Sequence, residues 1–395
     1  MISNRPSPTL ELADVIRRHA HLLNKPTTDQ IRVLRRLAAC RTAALGGHVE
    51  TCDHCQHQRI AYNSCRNRHC PKCQACACAR WMEDRASELL PVEYFHVVFT
   101  VPPAFNALAL SNRCTVYGIL FKAVAQTLLE VAANPRNLGA RIGFLAILHT
   151  WGQNLSLHPH LHCVIPGGGL SADGSRWIAC RPGFFLPVRV LSRVFRGKFI
   201  DLLRRAWAKG RLRRLPDHFS FEALADAAVR DDWVVYAKPP FGGPAQVLKY
   251  LSRYTHKIAI SNRRLVSMDD HSVSFRWKDY AHGNHSRVMT LEAGEFLRRF
   301  LMHVVPRGFM RIRHFGFLAD RFRAGNLQQC RKLLCDTTGR SDAPDATVVS
   351  SPGDSVADHP AHDQCPVCHR GKMIVGQRIE SLSTWQLFHA WWDTS

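Results

Sequence analysis

The chain has 395 residues, room for two or three domains, and a hydrophobic fraction of 46% that is ordinary for packed cores. Its 53 Lys and Arg against 31 Asp and Glu give a net charge of +22, which points to a polyanion as partner, nucleic acid first, although an anionic membrane surface fits the bare number too. The start, MISNRPSPTLELADVIRR, lacks an apolar signal core, and the longest charge-free run, residues 142–172, holds four histidines and a glycine turn, so no membrane span is expected; 15 cysteines then speak for a reducing, cytoplasmic setting and for metal ligation over disulfides.

In chain order, LELADVIRRHAHLL (10–23) and TTDQIRVLRRLAACRTAAL (27–45) repeat apolar residues at helical spacing, so residues 1–48 read as a helical region. Residues 49–92 are dense in Cys and His. Cys52-x2-Cys55 and Cys70-x2-Cys73, separated by 14 residues, have the arithmetic of a four-cysteine zinc ribbon, and each turn presents two sulfurs to one ion. One structural Zn2+ on these four is expected, with Cys65, His69, Cys76 and Cys78 near enough to replace a ligand or to serve a second ion.

Beyond this unit the pattern alternates between strand and helix. YFHVVFTV (94–101) and RIGFLAILHTWG (141–152) read as strands, residues 116–133 as a helix, and HPHLHCVIPGGG (158–169) as a strand closing on a glycine turn. PAQVLKYLSRYTH (244–256) is helical with Pro244 in its first turn; residues 257–268 and 272–280 look like a strand pair, and LEAGEFLRRFLMHV (291–304) is a helix. The class is α+β. Residues 324–364 are assigned as a flexible linker, 336–364 being rich in Asp, Ser, Pro and Thr, and 365–395 as a tail carrying Cys365-x2-Cys368. That pair is half a metal site, with Cys330 and Cys335 either its other half or ordinary buried cysteines.

Two side-chain sets carry the chemistry. His160 and His162 alternate with core residues on one strand and so share a face. Tyr250 and Tyr254 stand four apart on a helix, with Lys249, Arg253 and Lys257 beside them, so two phenols and a row of cations share one side, suited to a phosphodiester. Lys278, Asp279, Arg298, Arg299, Arg311 and Arg313 either contact DNA or support the core.

His160-Leu161-His162 with Tyr250…Tyr254, preceded by YNSCRNRHCPKCQ (62–74) and followed by GFMRIRHFGFLADR (308–321), resembles the two-tyrosine HUH single-strand endonucleases, in particular the rolling-circle transposases of the insertion sequence 91 type. The resemblance runs from about Ile31 to Arg323. It implies an HUH nuclease core over residues 93–323, an antiparallel sheet with flanking helices, behind helices and a small zinc-ribbon-like domain. It also implies Mg2+ or Mn2+ on the histidine pair and tyrosine attack on single-stranded DNA at the element's ends. Because hard cations prefer oxygen, a third, oxygen-bearing ligand is expected, and Gln153 is the candidate. No G-x-x-x-x-G-K-[ST] loop is present, so strand displacement would fall to host replication or a helicase. Three alternatives stay open: a plasmid or phage replication initiator, a non-enzymatic zinc-ribbon DNA-binding protein, and a metal-carboxylate transposase, the last short of an acidic cluster.

Overall fold

The computed structural model describes residues 10–212, 220–230, 232–241, 246–247, 257–279, 283–338 and 364–381. Tyr250, Tyr254, Lys249 and Arg253 lie outside the described residues. Helices α1 (Leu12–His19) and α2 (Thr28–Ala38) match the expected helical region. Thr27 and Gln30 form a reciprocal capping box at the start of α2, satisfying two amides that no helix turn could reach. Strands β1 (Gly47–Cys52) and β2 (Gln58–Tyr62) make a hairpin, and α3 (Pro71–Ala86) begins with Pro71 directly after Cys70, where its missing N–H costs nothing.

Strand β3 (Tyr94–Thr100), helices α4 (Asn106–Ser111) and α5 (Arg113–Ala133), and strands β4 (Gly143–Trp151) and β5 (Leu157–Pro166) follow. Helix α5 is long and apolar enough to cross a membrane, but two thirds of its most apolar window is buried inside the protein. It is apolar nearly all round because it is packed nearly all round. A short hairpin, β6 (Gly168–Leu170) and β7 (Trp177–Ala179), leads to helices α6 (Val188–Ala208) and α7 (Phe221–Arg230) and strand β8 (Val235–Phe241). Strands β9 (Leu265–Met268), β10 (Ser272–Asp279) and β11 (His285–Glu292) precede α8 (Ala293–Met302) and β12 (Ile312–Gly316). Helix α9 (Arg323–Thr338) and strand β13 (Met373–Ile379) complete the described elements.

The central sheet has the order β12-β4-β5-β3-β8, and its described pairings are all antiparallel. Alternation sorts its side chains into two faces. Phe95, Val97, Phe99, Phe144, Ala146, Leu148, Leu161, Cys163 and Ile165 point into the main core, where α5 and α6 cover them. The opposite face carries a smaller cluster, Tyr94, Leu145, Ile147, Val164 and Val247, and beyond it a run of histidines.

A second core joins parts that the sequence reading kept separate. Leu12, Ile16, Leu34 and Leu37 from the N-terminal helices pack with Val273, Phe275, Phe296 and Phe300 from β10 and α8. The assigned linker is also shorter than 324–364, because α9 occupies its first residues. Leu327, Cys330 and Leu334 on one side of that helix are buried against Leu90, Leu170 and Phe317. The compositional signal begins only at residue 336, and before it an apolar residue at every third or fourth position is enough to dock a helix.

Candidate functional site

The strand pairing places three imidazoles together. His149 pairs with His160 across β4 and β5, and His162 follows two residues on, on the same face. One nitrogen from each of His149, His160 and His162 lies within 4.8 Å of the others, and all three side chains are buried. Among the described His, Cys, Asp and Glu side chains His149 joins the pair, whereas the sequence reading nominated Gln153. Gln153 sits in the turn between β4 and β5, where its carbonyl accepts from Arg264, and the strand carrying His149 ends before that turn. His149 has the same signature as the pair, a histidine at the end of an otherwise apolar strand, and only the register between strands reveals it.

The hydrogen bonds orient the rings for ligation. His160 Nδ1 donates to the His158 carbonyl at 2.6 Å, so its Nε2 presents a lone pair. His162 Nδ1 shares a 2.9 Å bond with Nε2 of buried His96, whose ring stacks on it at 5.1 Å. The two Nε2 atoms of His160 and His162 face each other at 3.0 Å. Two imidazole nitrogens bound at right angles to one ion at ~2.1 Å would stand about 3.0 Å apart. Burial, reinforced by His158, holds His160 down to about 3, and burial with His149 holds His162 well below the ordinary range, so both are neutral at pH 7, the form that binds metal. Three imidazole nitrogens suit borderline ions such as Zn2+, Fe2+ or Ni2+, whereas Mg2+ and Mn2+ both favour oxygen.

The flanks of the tyrosine segment reach the same face. Val247 packs on Leu145, Ile147 and Val164, and the Lys257 ammonium lies close enough to His160 and His162 to lower both. Lys257 is itself lowered by burial and by the charges of Arg264 and Lys278. The remaining candidate cations divide differently. Arg298 and Arg299 both pair with Glu295, Arg298 on the exposed side of its helix; Arg313 lies 4.2 Å over the Phe121 ring, and burial brings Arg311 down to about 10. Asp279 is buried beside Arg287.

The cysteines form two groups instead of the expected one. Cys70 and Cys73, at the start of α3, meet Cys40 after α2 and Cys65 before α3, with Sγ separations of 3.5 Å for Cys40–Cys70 and Cys40–Cys73 and 3.6 Å for Cys65–Cys73. Cys52 and Cys55 meet Cys365 and Cys368 instead. A C-x-x-C spacing fixes which two thiols share a turn and leaves open which turns meet. Here the end of α2 and the start of α3 share one buried cluster, which draws in two isolated cysteines that carry no spacing signal. A tetrahedral four-thiolate zinc at ~2.3 Å has edges of about 3.8 Å, whereas a disulfide needs about 2.05 Å. The first group fits zinc, and its sulfurs belong to the second core alongside Leu34 and Leu37. His69 and Cys78 belong to neither group, and the side chain of Cys76 is outside the described set. Cys330 is an ordinary core cysteine.

Comparison with known proteins gives the family. Residues 12–101 match the family "Transposase zinc-binding domain", and residues 143–325 match "Putative transposase". The chain is 53% identical over 385 residues to "Putative transposase y4qJ" of Sinorhizobium fredii, covering 92% of this chain and 94% of that one. It is 28% identical over 330 residues to the transposase for insertion sequence element IS801 of Pseudomonas savastanoi pv. phaseolicola, covering 80% and 77%. Among solved structures, the metal-bound conjugative relaxase TrwC with oriT DNA aligns at a TM-score of 0.23 and 16% identity over 42% of this chain and 71% of that one, too slight a likeness to carry an argument. The chain thus belongs to the insertion sequence 91 type of transposases, with an N-terminal zinc-binding domain.

Proposed function

We propose that this transposase cuts and rejoins single-stranded DNA at the ends of its element by transesterification, with Tyr250 and Tyr254 as nucleophiles and His149, His160 and His162 holding a divalent cation. A phenol oxygen attacks the scissile phosphorus, a Tyr–O–P bond forms as the P–O3′ bond breaks, and the 3′ oxygen leaves as a hydroxyl, taking up a proton. One phosphodiester replaces another, so rejoining needs no nucleotide hydrolysis. A bound cation supplies charge neutralisation at the non-bridging oxygens. Lys249, Arg253 and Lys257 orient the backbone, and two nucleophiles allow a second cut while the first strand stays attached. Host replication or a helicase displaces the strand.

The observation that carries this reading is the placement of Val247 and Lys257. They flank the tyrosine segment; Val247 packs on the sheet face that holds the three histidines, and the charge of Lys257 reaches His160 and His162. Incubation with single-stranded DNA bearing the element's ends and Mn2+ tests it. A covalent protein–DNA adduct is expected, and a protein that binds this DNA without ever cutting it would be a binding module instead.

A further inference from the structure

Four cysteines from opposite ends of the chain meet: Cys52 and Cys55 lie inside the matched segment 12–101, and Cys365 and Cys368 lie beyond both matched segments. Cys52 and Cys55 lie in the turn of the β1–β2 hairpin, and Cys365 and Cys368 lie just before β13. Cys52 Sγ is 3.7 Å from Cys368 Sγ, and Cys55 Sγ is 3.6 Å from Cys365 Sγ. These separations match the edge of a four-thiolate tetrahedron and are far too long for disulfides.

The two turns are built alike. The backbone N–H groups of His54 and Cys55 point to Cys52 Sγ, and those of Val367 and Gly371 point to Cys365 Sγ and Cys368 Sγ, all at 3.4 or 3.5 Å. Such donors stabilise thiolates. In each turn the residue after the second cysteine takes a left-handed conformation, Gln56 at φ 58° and His369 at φ 53°. Around them, β13 pairs with β1 from Gly47↔Ile379 to Cys52↔Met373, giving a three-stranded sheet of order β13-β1-β2. Gly371 closes the contact, because a Cβ there would come within 2.5 Å of Cys52 Sγ and of Asp53 Oδ1. Apart from the cysteines, the described buried cluster beneath this sheet contains only Met373. So small an apolar core does not hold a module of this size, and small modules of that kind rely on a metal or a disulfide.

We propose that Cys52, Cys55, Cys365 and Cys368 hold a second zinc ion, which joins the amino- and carboxyl-terminal parts of the chain into one ribbon. The first zinc, on Cys40, Cys65, Cys70 and Cys73, is a separate site in a separate core. Neither depends on the cleavage chemistry.

Elemental analysis of the full-length protein, purified reduced, tests the assignment. Two zinc ions per chain are expected. Cys365→Ser/Cys368→Ser and Cys52→Ser/Cys55→Ser should each leave one, and the quadruple variant should also leave one, because both pairs serve the same ion. A single zinc in the unaltered protein, or a count unchanged in either pair variant, overturns the proposal. So does a quadruple variant with none, which would assign the pairs to different ions, and so does iron at the site. As a second measurement, a protease site placed after Gly353 allows the folded holoprotein to be cut. The carboxyl-terminal fragment should co-elute with the rest until a chelator removes the metal. Release before chelation, or retention once the zinc count has reached zero, counts against the ion as the joint.

Discussion

His149 and His160 stand directly opposite each other in the β4–β5 pairing, so the third imidazole comes from the neighbouring strand and not from the turn that follows it. His149→Ala should therefore abolish cleavage as His160→Ala and His162→Ala do, with DNA binding little changed, whereas Gln153→Ala should keep most activity. Cleavage retained in His149→Ala and lost in Gln153→Ala would return the third place to the glutamine.

His96 orients His162 through its Nε2 without being placed among the ligating atoms. Outer partners of this kind typically change metal affinity or activity by 10–100-fold. His96→Ala should raise the Mn2+ concentration for half-maximal cleavage by about that factor. His96→Gln, which keeps an acceptor, should recover part of it. Equal losses in both variants, with no shift in the Mn2+ requirement, would make His96 a packing residue.

Tyr250→Phe and Tyr254→Phe each remove one oxygen. Either single variant should still form adduct in a one-cut assay while failing in complete transposition, and the double variant should form none. Mass spectrometry of the adducted peptide checks the assignment, and DNA attached to any other residue would end it.

His303 contributes one part of the pH dependence of the fold, beside other buried imidazoles such as His96, His160 and His162. It caps the end of α8, its Nε2 donates to the Leu155 carbonyl, and its Nδ1 meets the Thr150 hydroxyl, so it joins that helix to the β4–β5 turn. Burial brings it down to about 4. The unfolded imidazole takes its proton near 6.5, so stability is complete above that pH and falls as pH drops from 6.5 to 4, by roughly 3 kcal/mol in all. Urea unfolding between pH 4 and 7 should show this slope, and His303→Gln should flatten part of it.

DNA affinity should fall steeply with salt, with a log–log slope near −0.7 for each phosphate neutralised on a single strand. Lys257→Ala should make that slope shallower by about one such unit. Arg299→Ala and Arg313→Ala, whose cations are engaged with Glu295 and with Phe121, should lower stability and leave the slope alone. A shallower slope in the arginine variants would assign them to the DNA surface.

Much of the layout could be read before any coordinates. The strands around Phe95, Leu145 and Leu161 and the helix around Leu120 are long apolar stretches whose period admits one reading each. The His160–His162 pair follows from strand parity alone. What escaped depends on contacts between distant segments. His149 needed the register of β4 on β5, and Cys40 and Cys65 needed the cluster shared by the end of α2 and the start of α3. The partnership of Cys52 with Cys368 needed a strand pairing that no local pattern encodes. Helix α9 escaped for a different reason, since its mixed composition hid Leu327, Cys330 and Leu334 on one docking side.

The β1–β13 pairing has a consequence for the order of assembly. Cys55 and Cys365 are 310 residues apart, and a closure of that length comes late in folding. At ordinary elongation rates of ~5–20 residues per second, the amino-terminal hairpin waits on the order of 15–60 s on the ribosome for its third strand. During that interval its outer edge is an unpaired strand, the kind that recruits foreign strands. A chain that stops early keeps that edge open for good, so fragments ending before β13 should aggregate more readily than the finished protein. The last of the described strands to be made is thus the one that closes the edge of one of the first.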